Sequence, residues 1–175
     1  LGLSILESDD GVSPLLTSPL GEDVSAFAAR CGCDASRTVA VDLSFNTTKR
    51  ITVMTAPGAA PSIGQAVTNA LIDSGRAVTA ISDSPGFVAQ RIVAMVANLG
   101  CEMAQAGLAA PQDIDKAMRL GLNYPLGPLE FTQAFGVSKV LNVLASLQTL
   151  TGDDRYRPSQ WLRRRASLDL PIWAK

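Results

Sequence analysis

Along the first half of the chain, short apolar runs rich in β-branched residues alternate with stretches whose apolar positions recur at helical spacing. The runs are Leu3–Ser8, Thr38–Phe45, Lys49–Ala56 and Ala77–Ser82, and each predicts a strand. Gly21 to Gly32 predicts a helix, with Glu22 and Asp23 favouring its first turn and Gly32 its end. Ala60 to Gly75 predicts a second helix. Pro61 stands near its first turn, Gly75 just past its last, and Ile63, Val67, Ala70 and Leu71 form its apolar face. The strand, helix and strand from Lys49 to Ser82 therefore predict a β-α-β crossover.

After Pro85 the period changes. Phe87, Val88, Ile92, Met95, Val96, Leu99 and Met103 mark one long helix, Phe87–Gln105, with a wide apolar face. Pro111 opens a helix carrying Ile114, Ala117, Met118 and Leu120, and Gly121 is expected to close it. Tyr124 to Phe131 reads as a Pro/Gly corner. Val137–Leu150 predicts another amphipathic helix through Val140, Leu141, Val143, Leu144 and Leu147, and a last helix begins near Pro158. Ser84–Pro85–Gly86 is the joint between the two styles: proline disfavours helix at the residue before it, and glycine lets the chain turn.

Composition narrows the class. A chain of 175 residues that is 47% hydrophobic with a net charge of -1 has enough apolar material for a core, which argues against disorder. The same balance gives no global field for nucleic acid or a membrane surface. No apolar run approaches the roughly 20 residues that span a bilayer. The chain begins at Leu1 rather than methionine, and the expectation is a piece of something longer. Three cysteines, Cys31, Cys33 and Cys101, point to a reducing, cytoplasmic setting and to buried apolar thiols. The Cys31–Gly32–Cys33 run lacks the partners a zinc site needs, so no metal is expected. There is no histidine, which removes the commonest general base and metal ligand.

The stretch from Asp83 to Gly136 holds D-S-P-G-F-V-A-Q-R, then Q-D-I-D-K-A-M-R-L-G, then Y-P-L-G-P. At these spacings it resembles the C-terminal domain of the L-3-hydroxyacyl-CoA dehydrogenase family, as the second, degenerate copy carried by some two-copy bacterial members. The resemblance implies an α/β remnant of a Rossmann-like domain over residues 1–82. It implies that an all-α helical domain, like the C-terminal domain of 6-phosphogluconate dehydrogenase, follows over residues 83–175. The family takes a hydride onto NAD from a 3-hydroxyacyl-CoA, with a histidine–glutamate pair removing the hydroxyl proton.

Position by position, that chemistry is missing here. The family's G-x-G-x-x-G turn is absent, so a pyrophosphate lacks its glycine loop and helix N-terminus. The histidine position falls on Leu43 or Asp42, the glutamate position near Thr52, the asparagine of P-G-F-x-x-N-R on Gln90, and an acid before Gly136 on Gln133. Losing a positioned base costs about 10²–10⁴ in rate; without the nucleotide site the hydride has no acceptor. The expectation is a non-catalytic dimerisation and scaffold module of an NAD-dependent 3-hydroxyacyl-CoA dehydrogenase of fatty-acid or aromatic-acid β-oxidation. No catalytic, cofactor or metal residue is assigned, and NAD belongs to the parent enzyme. Asn46 and Gln90 are the candidate, degenerate cleft positions. The expected partners are a second copy, upstream domains and an acyl-CoA at most in contact. The alternative is a module that keeps acyl-CoA or nucleotide affinity without chemistry.

Other polar groups carry bland expectations. Arg155, Arg157, Arg163, Arg164 and Arg165 read as helix-end and surface charge, with CoA phosphate, pairing with a neighbouring module or nucleic acid as the sharper options. Asp113 and Asp115 stand at i and i+2 near a helix start and do not form a carboxylate pair. Either Glu102 or Glu130 suits a buried pair, and Asn98 lies on the same helix as Gln90.

Overall fold

The computed structural model describes residues 8–174, so the strand expected at Leu3–Ser8 lies almost wholly outside the described residues. The chain divides into two compact units, residues 1–87 and residues 88–175.

The first unit is a four-stranded mixed sheet with two helices. Its strands are β1 (Leu15–Thr17), β2 (Thr38–Val41), β3 (Arg50–Thr55) and β4 (Ala77–Ile81), in that spatial order. Strand β1 pairs parallel with β2, β2 antiparallel with β3, and β3 parallel with β4. The crossover between β3 and β4 is α2 (Pro61–Asp73), which Pro61 opens as predicted; α1 (Val24–Cys31) connects β1 to β2. Alternation along the strands assigns the two faces. Val39, Val41, Ile51 and Val53 meet Val67 and Leu71 of α2, while Ala40 and Met54 meet Val24 of α1 and Phe87. Covering both faces turns an alternating strand into the continuous apolar run seen in the sequence. Each of Ile51, Val53 and Leu71, at 2% exposure or less, contributes about 1.5–3 kcal/mol by burial.

Strand β2 stops four residues short of the expected Phe45. Ser44 N donates to the Asp42 carboxylate (3.1 Å) and Leu43 N to Ser18 Oγ (3.3 Å), so the backbone turns onto side chains instead of a partner strand. The three residues of β1 carry no strand signal in the sequence, because Pro14 and Pro19 flank too short a run to show a period. The joint also differs from expectation. Phe87 takes a left-handed backbone (φ 49°), which no α-helix accommodates, and its ring is buried at 1% exposure among Val24, Ala40, Met54 and Ala56. It anchors the first unit rather than starting a helix. Asp83, before it, accepts from Val24 N (2.7 Å), Ser25 N (3.1 Å) and Ser25 Oγ (2.6 Å), so its negative charge sits on the N-terminus of α1.

Every described element of the second unit is helical: α3 (Ala89–Gln105), α4 (Pro111–Leu122), α5 (Pro128–Phe135), α6 (Val137–Thr151), a single 3₁₀ turn (Asp154–Tyr156) and α7 (Gln160–Ser167). Helix α3 packs on α4, α5, α6 and α7. Its inward face is made of small residues, Ala94, Ala97, Gly100, Cys101 and Ala104. Gly100 is needed for this, because a Cβ there would stand 2.6 Å from the Pro128 ring. The large apolar residues lie elsewhere: Val88, Ile92 and Leu99 are 49%, 56% and 56% exposed, with Val96 and Met103 half-buried on the same stripe.

Helix α5 replaces the expected corner. Pro128 is its first residue, and Glu130 Oε2 accepts from Gly127 N (2.8 Å), a capping box that the dense Pro/Gly pattern hides. Helix α4 runs past Gly121 to Leu122, and Asn123 takes the left-handed stop (φ 54°), a conformation its short amide tolerates.

Candidate functional site

The two positions singled out from the sequence lie in different units. Asn46 is exposed on the loop after β2, and its Oδ1 is occupied by Thr48 N (2.9 Å) and Thr48 Oγ1 (2.7 Å). That is a self-contained Asx turn. Gln90 is in the first turn of α3 and is 1% exposed.

The loop after β2 nevertheless gathers polar groups. Asp42 is 8% exposed and continues the β2–β3 ladder through its own N–H to Thr52 O (2.9 Å). Ser18, which sequence reasoning missed, reaches Leu43 N at 3.3 Å. Leu43, one of the two positions where the family pattern sets a histidine, is 45% exposed. The loop carries the Asp42 carboxylate and the Asn46 amide, and the Ser18 hydroxyl reaches it from the segment after β1, but there is no imidazole to move a proton at neutral pH. Among the described residues no three His, Cys, Asp or Glu side chains gather as a metal site.

In the helical unit the buried polar groups hold backbone together. Asp115, 2% exposed, accepts at Oδ1 from Leu129 N (2.7 Å) and Glu130 N (3.3 Å) and at Oδ2 from Trp173 Nε1 (3.1 Å). An α4 carboxylate therefore caps α5. Asn98 donates to Arg157 O (3.0 Å) and accepts from Ser159 N (2.8 Å), so its amide pins the entry to α7. Gln133 Oε1 accepts from Ile172 N (2.9 Å). Glu130 is half-buried and also pairs with Arg119 (3.0 Å), whereas Glu102 is exposed, so burial of Glu102 is corrected.

The arginines are mostly spoken for by their neighbours. Arg155 pairs with Asp153 (2.6 Å), and Arg163 Nε donates to Pro158 O (3.2 Å). Arg165 is not surface charge: it is 8% exposed, lies 3.2 Å over the Trp161 ring and donates to Ala174 O. Arg157 and Arg163 do border a cleft of about 410 Å³ with Glu102, Gln105 and Gln160. Its helix N-terminus is already occupied, since Gln105 Oε1 takes Trp161 N (2.7 Å) and Ser159 Oγ takes Leu162 N (3.3 Å).

The cysteines divide. Cys31 is exposed and Cys33 partly so, against the expectation of burial, because the left-handed Gly32 cap ends α1 in solvent. Cys101 is buried, and that burial pushes its thiol up to about 12, although hydrogen bonds to Ser159 and Thr132 and the charge of Arg165 pull the other way. Below about pH 9 the thiol is neutral both folded and unfolded and costs nothing. Above it the unfolded thiol ionises while the folded one holds its proton. Stability should therefore fall by about 1.4 kcal/mol per pH unit from about 9 until about 12. Denaturant melts of the chain and of Cys101→Ala across that window check this; the variant should lose that part of the slope.

Residues 86–170 match the family model described as the 3-hydroxyacyl-CoA dehydrogenase C-terminal domain. The chain is 36% identical over 171 residues to the 3-hydroxyadipyl-CoA dehydrogenase of Escherichia coli K12, a match covering 95% of this chain and 35% of that protein. A probable 3-hydroxybutyryl-CoA dehydrogenase of Deinococcus radiodurans is 38% identical over 90 residues, covering 51% of the chain and 32% of the relative. The crystal structure of 3-hydroxybutyryl-CoA dehydrogenase from Escherichia coli K12 superposes with a TM-score of 0.79 at 35% identity, over 95% of this chain and 35% of that one. The chain spans about a third of the length of these relatives.

Proposed function

Because the chain belongs to the 3-hydroxyacyl-CoA dehydrogenase family, carrying its C-terminal domain at residues 86–170, we propose that it is a non-catalytic scaffold and dimerisation module of such an enzyme. In this reading the four-stranded unit is a shortened remnant of a nucleotide domain, and the helical unit is a second copy without chemistry. The parent enzyme supplies NAD and the base, acts on a 3-hydroxyacyl-CoA in fatty-acid or aromatic-acid breakdown, and works in the cytoplasm.

The observation that carries the proposal is the outer stripe of α3. Val88, Ile92, Val96, Leu99 and Met103 recur at helical spacing, and three of the five are about half exposed. Such a stripe suits knobs-into-holes packing against a second helix. The missing histidine supports the non-catalytic half of the reading. Purified chain offered NAD and a 3-hydroxyacyl-CoA should produce no NADH.

Sedimentation tests the association. The chain should dimerise, and Leu99→Asp or Ile92→Asp should weaken the dimer about 100-fold, since an unpaired carboxylate would be buried in an apolar seam. A strictly monomeric chain at high concentration removes the dimerisation half. Titration with acetoacetyl-CoA and NADH separates the alternative: saturable micromolar binding would favour a ligand-retaining module over a scaffold.

A further inference from the structure

The segment following α7 is held in an unusual way for an irregular stretch. Pro171 to Ala174 forms one turn, closed by Ala174 N to Pro171 O (3.0 Å). Side chains from three helices meet that turn, largely at its main chain. Gln133 of α5 accepts from Ile172 N (2.9 Å), the Trp161 indole of α7 donates to Ile172 O (2.9 Å), and the Arg165 guanidinium donates to Ala174 O. Two side chains of the turn are also read. Ile172 is fully buried, and the Trp173 indole N–H reaches Asp115 Oδ2 at 3.1 Å.

This arrangement has the parts of a peptide-recognition site: main-chain donors and acceptors matched by fixed side chains, one apolar pocket, and one polar group that reads a particular side chain. The receiving groups are themselves braced. Asp115 is fixed by Leu129 N and Glu130 N, and the Arg165 plane lies on the Trp161 ring. The turn, by contrast, is joined to α7 through Asp169, whose backbone is left-handed (φ 51°), and it bonds to the helices almost wholly through side chains. A braced receptor and a turn with little structure of its own behave as site and ligand.

We infer that α4, α5 and α7 form a binding site for a short Ile–Trp turn, filled in cis by residues 170–174. The turn acts as a clasp: its indole completes the Asp115 cap on α5, so occupancy of the site and the seating of α5 rise and fall together.

The test uses the chain shortened to residues 1–169 and a synthetic acetylated, amidated peptide of residues 170–174. The shortened chain should melt lower than the full chain, and the peptide should raise its Tm saturably. The same peptide with Ile172→Ala, or with Trp173→Phe, should bind at least about tenfold more weakly. No saturable shift, or equal shifts from all three peptides, overturns the site. If the shortened chain does not fold, hydrogen exchange on the full chain decides. The Ile172 amide should be protected well above an unstructured amide, and Gln133→Leu should speed its exchange about tenfold while the Leu144 amide in α6 is unmoved. An Ile172 amide exchanging at the unstructured rate overturns the proposal. Protection that appears only at high concentration would put the turn of a second copy in the site and overturn the cis assignment.

Discussion

Asp115→Ala should destabilise the helical unit by about 3–5 kcal/mol and lower its Tm by about 15 °C or more. The carboxylate is 2% exposed and accepts from Leu129 N, Glu130 N and Trp173 Nε1. Hydrogen bonds to a charged group are worth about 1.5–3 kcal/mol each, and the donors an alanine leaves behind stay out of reach of water. The charge also opposes the positive end of the α5 dipole. Asp115→Asn keeps the shape and one acceptor oxygen but loses the charge, and should cost about 1–2 kcal/mol. Thermal melts of the three chains check the order. An alanine variant as stable as the parent would mean that the carboxylate does not hold α5.

Gly127→Ala should cost about 3–4 kcal/mol, although the backbone there is not one that demands glycine. Its φ of -70° and ψ of 164° suit alanine. The obstacle is space: a Cβ on Gly127 would press into the backbone and side chain of Asp115, well inside contact distance. Asp115 would have to retreat, and its bonds to Leu129 and Glu130 would go with it. The same logic gives the expected coupling. Asp115→Ala with Gly127→Ala should lose less than the sum of the two, because both break one capping interaction. Strict additivity in a double-mutant cycle would separate the two residues and refute the packing account.

These two results would give physical content to motifs that the sequence offers only as letters. The second aspartate of Q-D-I-D, the glycine and second proline of Y-P-L-G-P, and Gly100 make one contact set: Asp115 seats against Gly127, and Pro128 against Gly100. None of it requires a substrate. Asn98 and Gln133 also fasten backbone segments. Asn46, proposed from its likeness to a catalytic run, spends its acceptor on Thr48.

The sequence by itself determined most of the element types and the likeness to the family. Period, proline placement and end residues marked β3, α2 and β4 and the helices α3, α4, α6 and α7, because those signals are local. The rare residues between Asp83 and Gly136 carried the likeness. Tertiary structure decided the rest. It put Phe87 in the first unit's core, made α5 out of an apparent corner, and turned the small residues of α3 inward, leaving Ile92 and Leu99 outside. It also decided which polar groups are structural. The partners of Asp115 stand 14, 15 and 58 positions away, and those of Asn98 59 and 61 away. A hydrogen bond across that separation leaves no period in the chain; it exists only once packing has brought both ends together and excluded the water that would otherwise serve them.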